Sequence, residues 1–592
     1  MKWAFAILVV VASARVASAQ CPPCAESWQT PDANCYCSLY ECKAGNPRCD
    51  VDVAGLAALA CEQIITTSTA PPNDWSAIDW ANRVICIEAG DHTGRGTLTL
   101  GSSGTADTRK VLRYVRSGDS DDQPWQQSAV NQALLAVLHV HGDFWVIHRL
   151  KVSSAQDELV VAGDGSGNGN DNIFSRVWVE NREGWNVVFA GGSQRSTLQG
   201  SLMKSLGPLG VGDHPCVVAD YAAKHNRVVS NEMHNCSDGV LLQLASQEDF
   251  AGTVIENNDI YLTSAYYSDG SGNLTPSGDY ACAENGIDMK GGGTSSDPVR
   301  VVHNRIWGQR VTDGTCADGS YGESIVFHTF SGGFTDYGLV HDNILFDGTQ
   351  AITTPNFTPS RWSIAGNLIY DMKGVSSGTY AIDVSADTTD VYLNTLIATN
   401  RSTAHHLSRG WVAWWSSGGD LRCNVVIDGG ESQDGAQSGA EEGANVYYGT
   451  SGNLDEPSAI STPMSTRAGS TGYGAGAVVR ATTDPVTQCA APDDADCFLY
   501  AAAVGGTSGG SAPTWCTAPG CTVTDGSVTW QAIRGPYCFY RKLRTAPEQV
   551  CIPYATVHES APEYGFCRAE NMGGVPLGSR PGIGINDEVA PY

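Results

Sequence analysis

The chain has 592 residues, 20 of them cysteine, with 63 acidic against 35 basic side chains and a formal charge of −28. That balance excludes the basic footprint a nucleic-acid partner requires. With 17% charged residues and 67 glycines the chain reads as a turn-rich extracellular β protein, and its charge disfavours a polyanionic substrate unless a bound cation reverses the sign locally.

At the N-terminus, Met1-Lys2-Trp3, an apolar run from Ala4 to Ala12 and the exit Ala17-Ser18-Ala19 form a secretory signal peptide over 1–19. The mature chain is expected to begin at Gln20 and to be secreted, with a periplasmic or cell-surface destination as variants. Cys21 raises a lipoprotein alternative, against which Gln20 is a poor residue before a lipidated cysteine. No later apolar run is long enough to span a bilayer. An even number of cysteines in an exported chain argues for disulfides. Cys21, Cys24, Cys35, Cys37, Cys42 and Cys49, with no histidine among them, read as a stapled cap over 20–75 rather than a zinc site.

Val84–Gly90, Leu98–Leu100, Val111–Val115 and Phe144–Val152 read as a first set of short strands. A repeat then emerges of strand, asparagine and second strand. Its asparagines are Asn231, Asn258, Asn304, Asn343, Asn367, Asn394 and Asn424, with Asn172 opening the series and Gly200 in an equivalent place. Successive corners lie 24 to 31 residues apart except for steps of 46 and 39 between Asn258, Asn304 and Asn343, so those two coils carry insertions. Asparagine or glycine suits a corner that needs the left-handed conformation. A third strand closes each repeat, as in Gly239–Gln243, Gly286–Lys290, Ser324–His328 and Ala381–Ser385.

Three short strands per repeat predict an all-β right-handed parallel β-helix over 76–430, with like strands stacking at about 4.8 Å per coil into surface columns. A sandwich or propeller would need hairpin signals or four strands per repeat. Residues 431–469 read as a Gly-, Ser- and acid-rich excursion, and 470–534 as a small β accessory module. Trp515 and Trp530 of that module either stack on sugar rings or fill its core. Residues 535–592, with Cys538, Cys551 and Cys567, are expected to close the helix end.

The second residue after each corner is apolar (Met233, Ile260, Ile306, Leu345, Ile369, Leu396, Val426) and is expected in the core. The third, His234, Tyr261, Trp307, Phe346 and Tyr370, is an outward aromatic column, either a sugar platform through Tyr261 and Trp307 or a surface covered by a loop. On the closing strands Ile287 and Met289 face one way and Glu284, Asp288 and Lys290 the other. Gln243, Lys290 and His328 form one outward column, and Leu241, Asp288, Val326, Thr353 and Asp383 its neighbour. The insertions Thr263–Ala283 and Val311–Glu323 stand beside this strip, where Cys282 and Cys316 could tie them together. Long loops on a rigid scaffold carry function.

With these repeats, roughly residues 80–430 resemble the pectate-lyase-like superfamily of β-helix proteins. Glu284-Asn285-Gly286-Ile287-Asp288, with Asp238-Gly239 one coil earlier, is similar to the calcium-binding spacing of polysaccharide lyase family nine. The resemblance implies calcium held by Asp238, Glu284, Asn285 and Asp288, although Asn285 stands where that family has an acid. It implies β-elimination on a uronic-acid polysaccharide, with Arg305 or Arg310 facing the uronate carboxylate. The family's basic lysine lies on a neighbouring coil, where this chain has Gln243 and His328, so Lys290 is the candidate base and His328 stands beside it. A lysine accepts a proton only when neutral, which positive neighbours favour and an unshared Asp288 opposes. Surface salt bridges alone would also account for the strip. Two further readings stand: hydrolysis by Asp288 with Asp238, and a non-catalytic surface or adhesion protein whose accessory module binds carbohydrate. A monomer acting on polysaccharide is expected.

Overall fold

A computed structural model describes residues 53–71, 73–115, 132–206, 214–243, 250–268, 284–310, 322–327, 337–354, 361–372, 380–384, 389–397 and 419–427, short strand segments as far as 462, and most of 465–552. The expected signal peptide over 1–19, the cysteines before Val53, Cys282, Cys316, His328 and Cys567 fall outside the described residues.

Three parallel sheets of 14, 14 and 12 strands among the described residues wind into the right-handed parallel β-helix expected from the repeats. Sheet 1 holds the strands before each asparagine corner, such as Arg227–Val229, Val254–Glu256 and Val299–Val302. Sheet 2 holds those after it, such as Glu232–His234, Asp259–Tyr261, Arg305–Trp307 and Ile344–Phe346. Sheet 3 holds the closing strands, including Asp238–Leu242, Asn285–Met289, Glu323–Phe327 and Gln350–Thr354. The helix runs further than 76–430. Gln63–Ile65 pairs in parallel with Val84–Ile87, and Glu441–Gly443, Val446–Tyr448 and Ile460–Thr462 extend two of the sheets beyond residue 430.

Each corner asparagine is fully buried and binds the next. Asn258 Nδ2 donates to Asn304 Oδ1 at 2.9 Å, Asn304 Nδ2 to Asn343 Oδ1 at 3.1 Å, and the chain of amides continues through Asn367 and Asn394 to Asn424. Each such bond contributes about 0.5–1.5 kcal/mol net, and an orphaned partner would cost more. The left-handed residue is the one before the asparagine: Ser230, Asn257, His303, Asp342 and Leu393 all have φ between 53° and 58°. The asparagine is therefore selected for its amide ladder, and the bend falls on its predecessor. Asn172 belongs to another corner, where it bonds Trp145 N and Ser196 Oγ, and Ser201 fills the ladder position in the coil before Asn231.

The second-residue column, from Met233 to Val426, lies in the core at 0–1% exposure, as expected. The aromatic column stacks in near-parallel planes: His234 on Tyr261 at 5.2 Å, Tyr261 on Trp307 at 4.4 Å, Trp307 on Phe346 at 5.5 Å and Phe346 on Tyr370 at 4.7 Å. Burial holds the terminal imidazole, His234, at a pKa of about 4. The hairpin formed by Tyr537–Arg541 and Glu548–Ile552 lies along this column, and the rest of the segment expected to close the helix end, 553–592, falls outside the described residues. Phe539 sits 6.3 Å from Phe346, and the Arg541 guanidinium lies 5.4 Å over Trp307. Tyr261 and Trp307 are thereby buried, so neither offers a ring face to a sugar.

The accessory module begins at Ser465 and forms a five-stranded sheet. Trp530 fills its core beside Tyr500, donating Nε1–H to Asp525, and Trp515 packs partly buried against both rings. Core filling thus accounts for Trp530. The expected disulfides include Cys61–Cys86, Cys216–Cys236, Cys489–Cys497, Cys516–Cys521 and Cys538–Cys551.

Candidate metal and active site on sheet 3

Ile287 and Met289 are buried in the core, which leaves Asp288 and Lys290 on the outer face of sheet 3. Simple alternation breaks at the head of the strand. A Cβ on Gly286 would collide with Ile306 Cγ2, and one on Gly239 with Ile260 Cγ2, so the backbone presses against the core at both positions. Only glycine fits this approach.

Asp238, Glu284 and Asp288 each offer one carboxylate oxygen, and these atoms all lie within 4.8 Å of one another. Asp238 and Asp288 are buried at 0% and 1% exposure. Asp238 Oδ1 accepts from Asn285 N at 3.0 Å, and Ser237 O accepts from Glu284 N at 2.8 Å, fixing the two coils together. Lys290 Nζ lies 3.5 Å from Asp288 Oδ2 and its side chain is partly exposed. Asn285 is buried in register with Asp238 on one side and Glu323 on the other. Glu323, itself buried, is an acid that sequence reasoning missed. Aligning the closing strands would have found it, since it precedes Ser324 as Asp238 precedes Gly239.

The remaining candidates separate. Gln243 stands one coil from Lys290, because Leu242 pairs with Met289. Arg305 is on sheet 2, fully buried and ion-paired with Asp259, whose other oxygen accepts from Leu543 N at 2.6 Å. A guanidinium enclosed in this way cannot meet a substrate carboxylate. Arg310 pairs with Asp347, Nε to Oδ1 at 2.9 Å, and its guanidinium lies 4.4 Å over the Tyr267 ring. Its charge is committed to Asp347.

Three carboxylate oxygens this close repel one another, and the Lys290 ammonium offsets only part of that charge. The carboxylates of Asp238, Glu284 and Asp288 are an oxygen set that could hold a hard cation.

No protein-family model and no curated protein matches the chain. Among solved structures, the alginate lyase from Paenibacillus sp. strain FPU-7 is similar at 15% identity and a TM-score of 0.28, with 59% of this chain and 99% of that chain covered. The PL6 family alginate lyase AlyGC is similar at 12% identity and a TM-score of 0.43, covering 68% of this chain and 54% of that one. Pectate lyase Pel9A is similar at 14% identity and a TM-score of 0.35, covering 63% and 82%. These likenesses concern the fold. With its own three sheets and asparagine ladder, the chain is a right-handed parallel β-helix.

Proposed function

We propose that the protein is a secreted polysaccharide-active enzyme, a calcium-assisted lyase that cleaves a uronic-acid polymer by β-elimination. The observation carrying this reading is the convergence of Asp238, Glu284 and Asp288 within 4.8 Å, with Lys290 beside Asp288 on the same outer face. Calcium bound there would neutralise a uronate carboxylate and so acidify the hydrogen on the adjacent carbon. Asp288, with its charge shared with the cation, would leave the Lys290 amine free to accept that hydrogen as a proton. The electron pair of the broken C–H bond forms the new double bond, the glycosidic C–O bond breaks, and the leaving oxygen is protonated from solvent. Gln243, one coil away, is placed to hydrogen-bond a sugar hydroxyl. Asp238 and Glu284 position Asp288 through the shared site and touch no reacting atom.

The test is calcium-dependent growth of unsaturated-uronate absorbance on polygalacturonate and on alginate. Lys290→Ala should lower kcat by about 10²–10⁴-fold with the fold intact, the range for loss of a general base. Reducing ends released without unsaturation would favour hydrolysis by Asp238 and Asp288. No product from any uronic-acid polymer, with an accessory module that still binds polysaccharide, would favour the adhesion reading.

A further inference from the structure

Three large apolar side chains are exposed among the described residues: Ile64, Tyr221 and Val504. Only Tyr221, at 50% exposure, borders the outer columns of sheet 3. Its predecessor Asp220 continues the column of Lys290, since Ala219 pairs with Leu242 and Leu242 with Met289, so Asp220, Gln243 and Lys290 occupy successive coils. Tyr221 therefore stands two coils from Lys290, about 10 Å along the helix axis.

The ring is presented by a built turn. Asp220 O accepts from Ala223 N at 3.0 Å, and Ala222 has φ 56°, so Tyr221 occupies the second position of a type II turn. The coil before it makes the same turn with Gly191 and Gly192, and Gly192 N donates to Tyr221 O at 2.8 Å. A Cβ on Gly191 would come within 3.5 Å of Tyr221 Cβ, so the small residue leaves the space beside the tyrosine clear. The Asp220 carboxylate accepts from the Tyr221 backbone N–H, which stiffens the turn from its other end. Between this turn and Lys290, Gln243 Oε1 is buried with no hydrogen-bond partner among the described residues. An aromatic face fixed at low entropic cost, followed by an acceptor that needs a donor, matches the apolar face and hydroxyl edge of successive sugars.

Resting on the lyase reading above, we propose that Tyr221 is a substrate-binding residue that stacks on a pyranose ring of the polysaccharide two coils from Lys290, with Gln243 bonding a hydroxyl of an intervening sugar. The polymer then follows the partly exposed column of Lys290, Gln243 and Asp220 towards the N-terminal coils, beside the buried outward column of Leu241 and Val218. Asp220 beside the ring disfavours a second carboxylate there, so this subsite favours a hydroxyl edge over an acidic one.

The test compares wild type, Tyr221→Ala and Tyr221→Trp on short and long oligomers of galacturonate and mannuronate, and by electrophoretic retardation in gels containing polygalacturonate or alginate. Tyr221→Ala should raise KM about three- to ten-fold on long oligomers, leave kcat and short-oligomer KM unchanged, and weaken retardation. Tyr221→Trp should keep both. Equal KM at every length together with unchanged retardation would overturn the proposal. Retardation that depends on Tyr221 in a protein giving no unsaturated product would uphold the subsite while removing the lyase reading.

Discussion

Two outer faces of the helix carry charged residues on successive coils, and they use them in opposite ways. On sheet 2, Glu232, Asp259 and Arg305 stand in register. Glu232 accepts from Tyr261 Oη at 2.6 Å, Thr545 Oγ1 at 2.8 Å, Arg544 N at 2.7 Å and Thr545 N at 2.8 Å, while Asp259 binds Arg305 and Leu543 N. These acids fasten the C-terminal segment over the aromatic stack. On sheet 3, Asp238, Glu284 and Asp288 converge on one another beside Lys290, with Asp238 also accepting from Asn285 N. Acids whose lone pairs are filled by backbone N–H groups hold structure. Acids that converge on one another have room for a cation.

The largest expected effect that separates the faces is on stability without calcium. Arg305→Met leaves Asp259 buried without its counter-charge and should cost about 3–5 kcal/mol, seen as a lowered unfolding midpoint. Asp288→Asn removes one of three mutually repelling charges and should be neutral or stabilising in chelator-treated protein. If Asp288→Asn were as damaging as Arg305→Met under those conditions, the two faces would not differ in kind.

Calcium should reverse the ranking on sheet 3 alone. At a free concentration of 100 times its dissociation constant, a ligand specific to the folded state stabilises by about 2.7 kcal/mol. That increment should vanish in Asp238→Asn and Asp288→Asn, and persist in Tyr261→Phe, whose hydroxyl bonds Glu232 and Thr545 on the other face. A calcium shift unaffected by both sheet 3 substitutions would place the cation elsewhere.

The helix was legible because its repeat is written in residue chemistry: a buried amide ladder tolerates little besides asparagine, and the column two residues on must be apolar. The strip on sheet 3 was legible as far as parity reaches, since Asp288 and Lys290 alternate with the core residues Ile287 and Met289. Parity also put Glu284 on that face, and its carboxylate does lie with those of Asp238 and Asp288. What covers a face was not legible. Arg305 and Tyr261 point outward as expected, yet residues 537–552 do not announce that this hairpin will lie upon them, because the acids there are met largely by backbone N–H groups that any sequence could supply. The run Glu232, Asp259, Arg305 at the first position after three successive corners was the available signal that something would be fastened there.

The smallest expected effect lies in the hairpin that makes sheet 2 structural. Hydrogen bonds from Arg541 hold Glu548 at a pKa of about 2, with Lys542 adding at 3.1 Å. A carboxylate whose pKa is depressed on folding contributes stability that is complete above its unfolded value near 4.5 and is lost as pH falls towards 2. Glu548 is 41% exposed, so solvent screening keeps the contribution below about 1 kcal/mol. Asp259 behaves in the opposite sense: burial raises its pKa, so acidification does not lower the stability of the fold through that group. Acidification from pH 5 to 3, about the unfolded range of a carboxylate, should therefore speed hydrogen exchange at the Arg541 and Glu548 end of the hairpin first. Glu548→Gln should reproduce that loosening at neutral pH and remove its pH dependence. Uniform loss of protection from Tyr537 to Ile552 would instead mean that the segment is held as one unit by the Glu232 and Asp259 contacts, and that sheet 2 is sealed more firmly than its outermost ion pair implies.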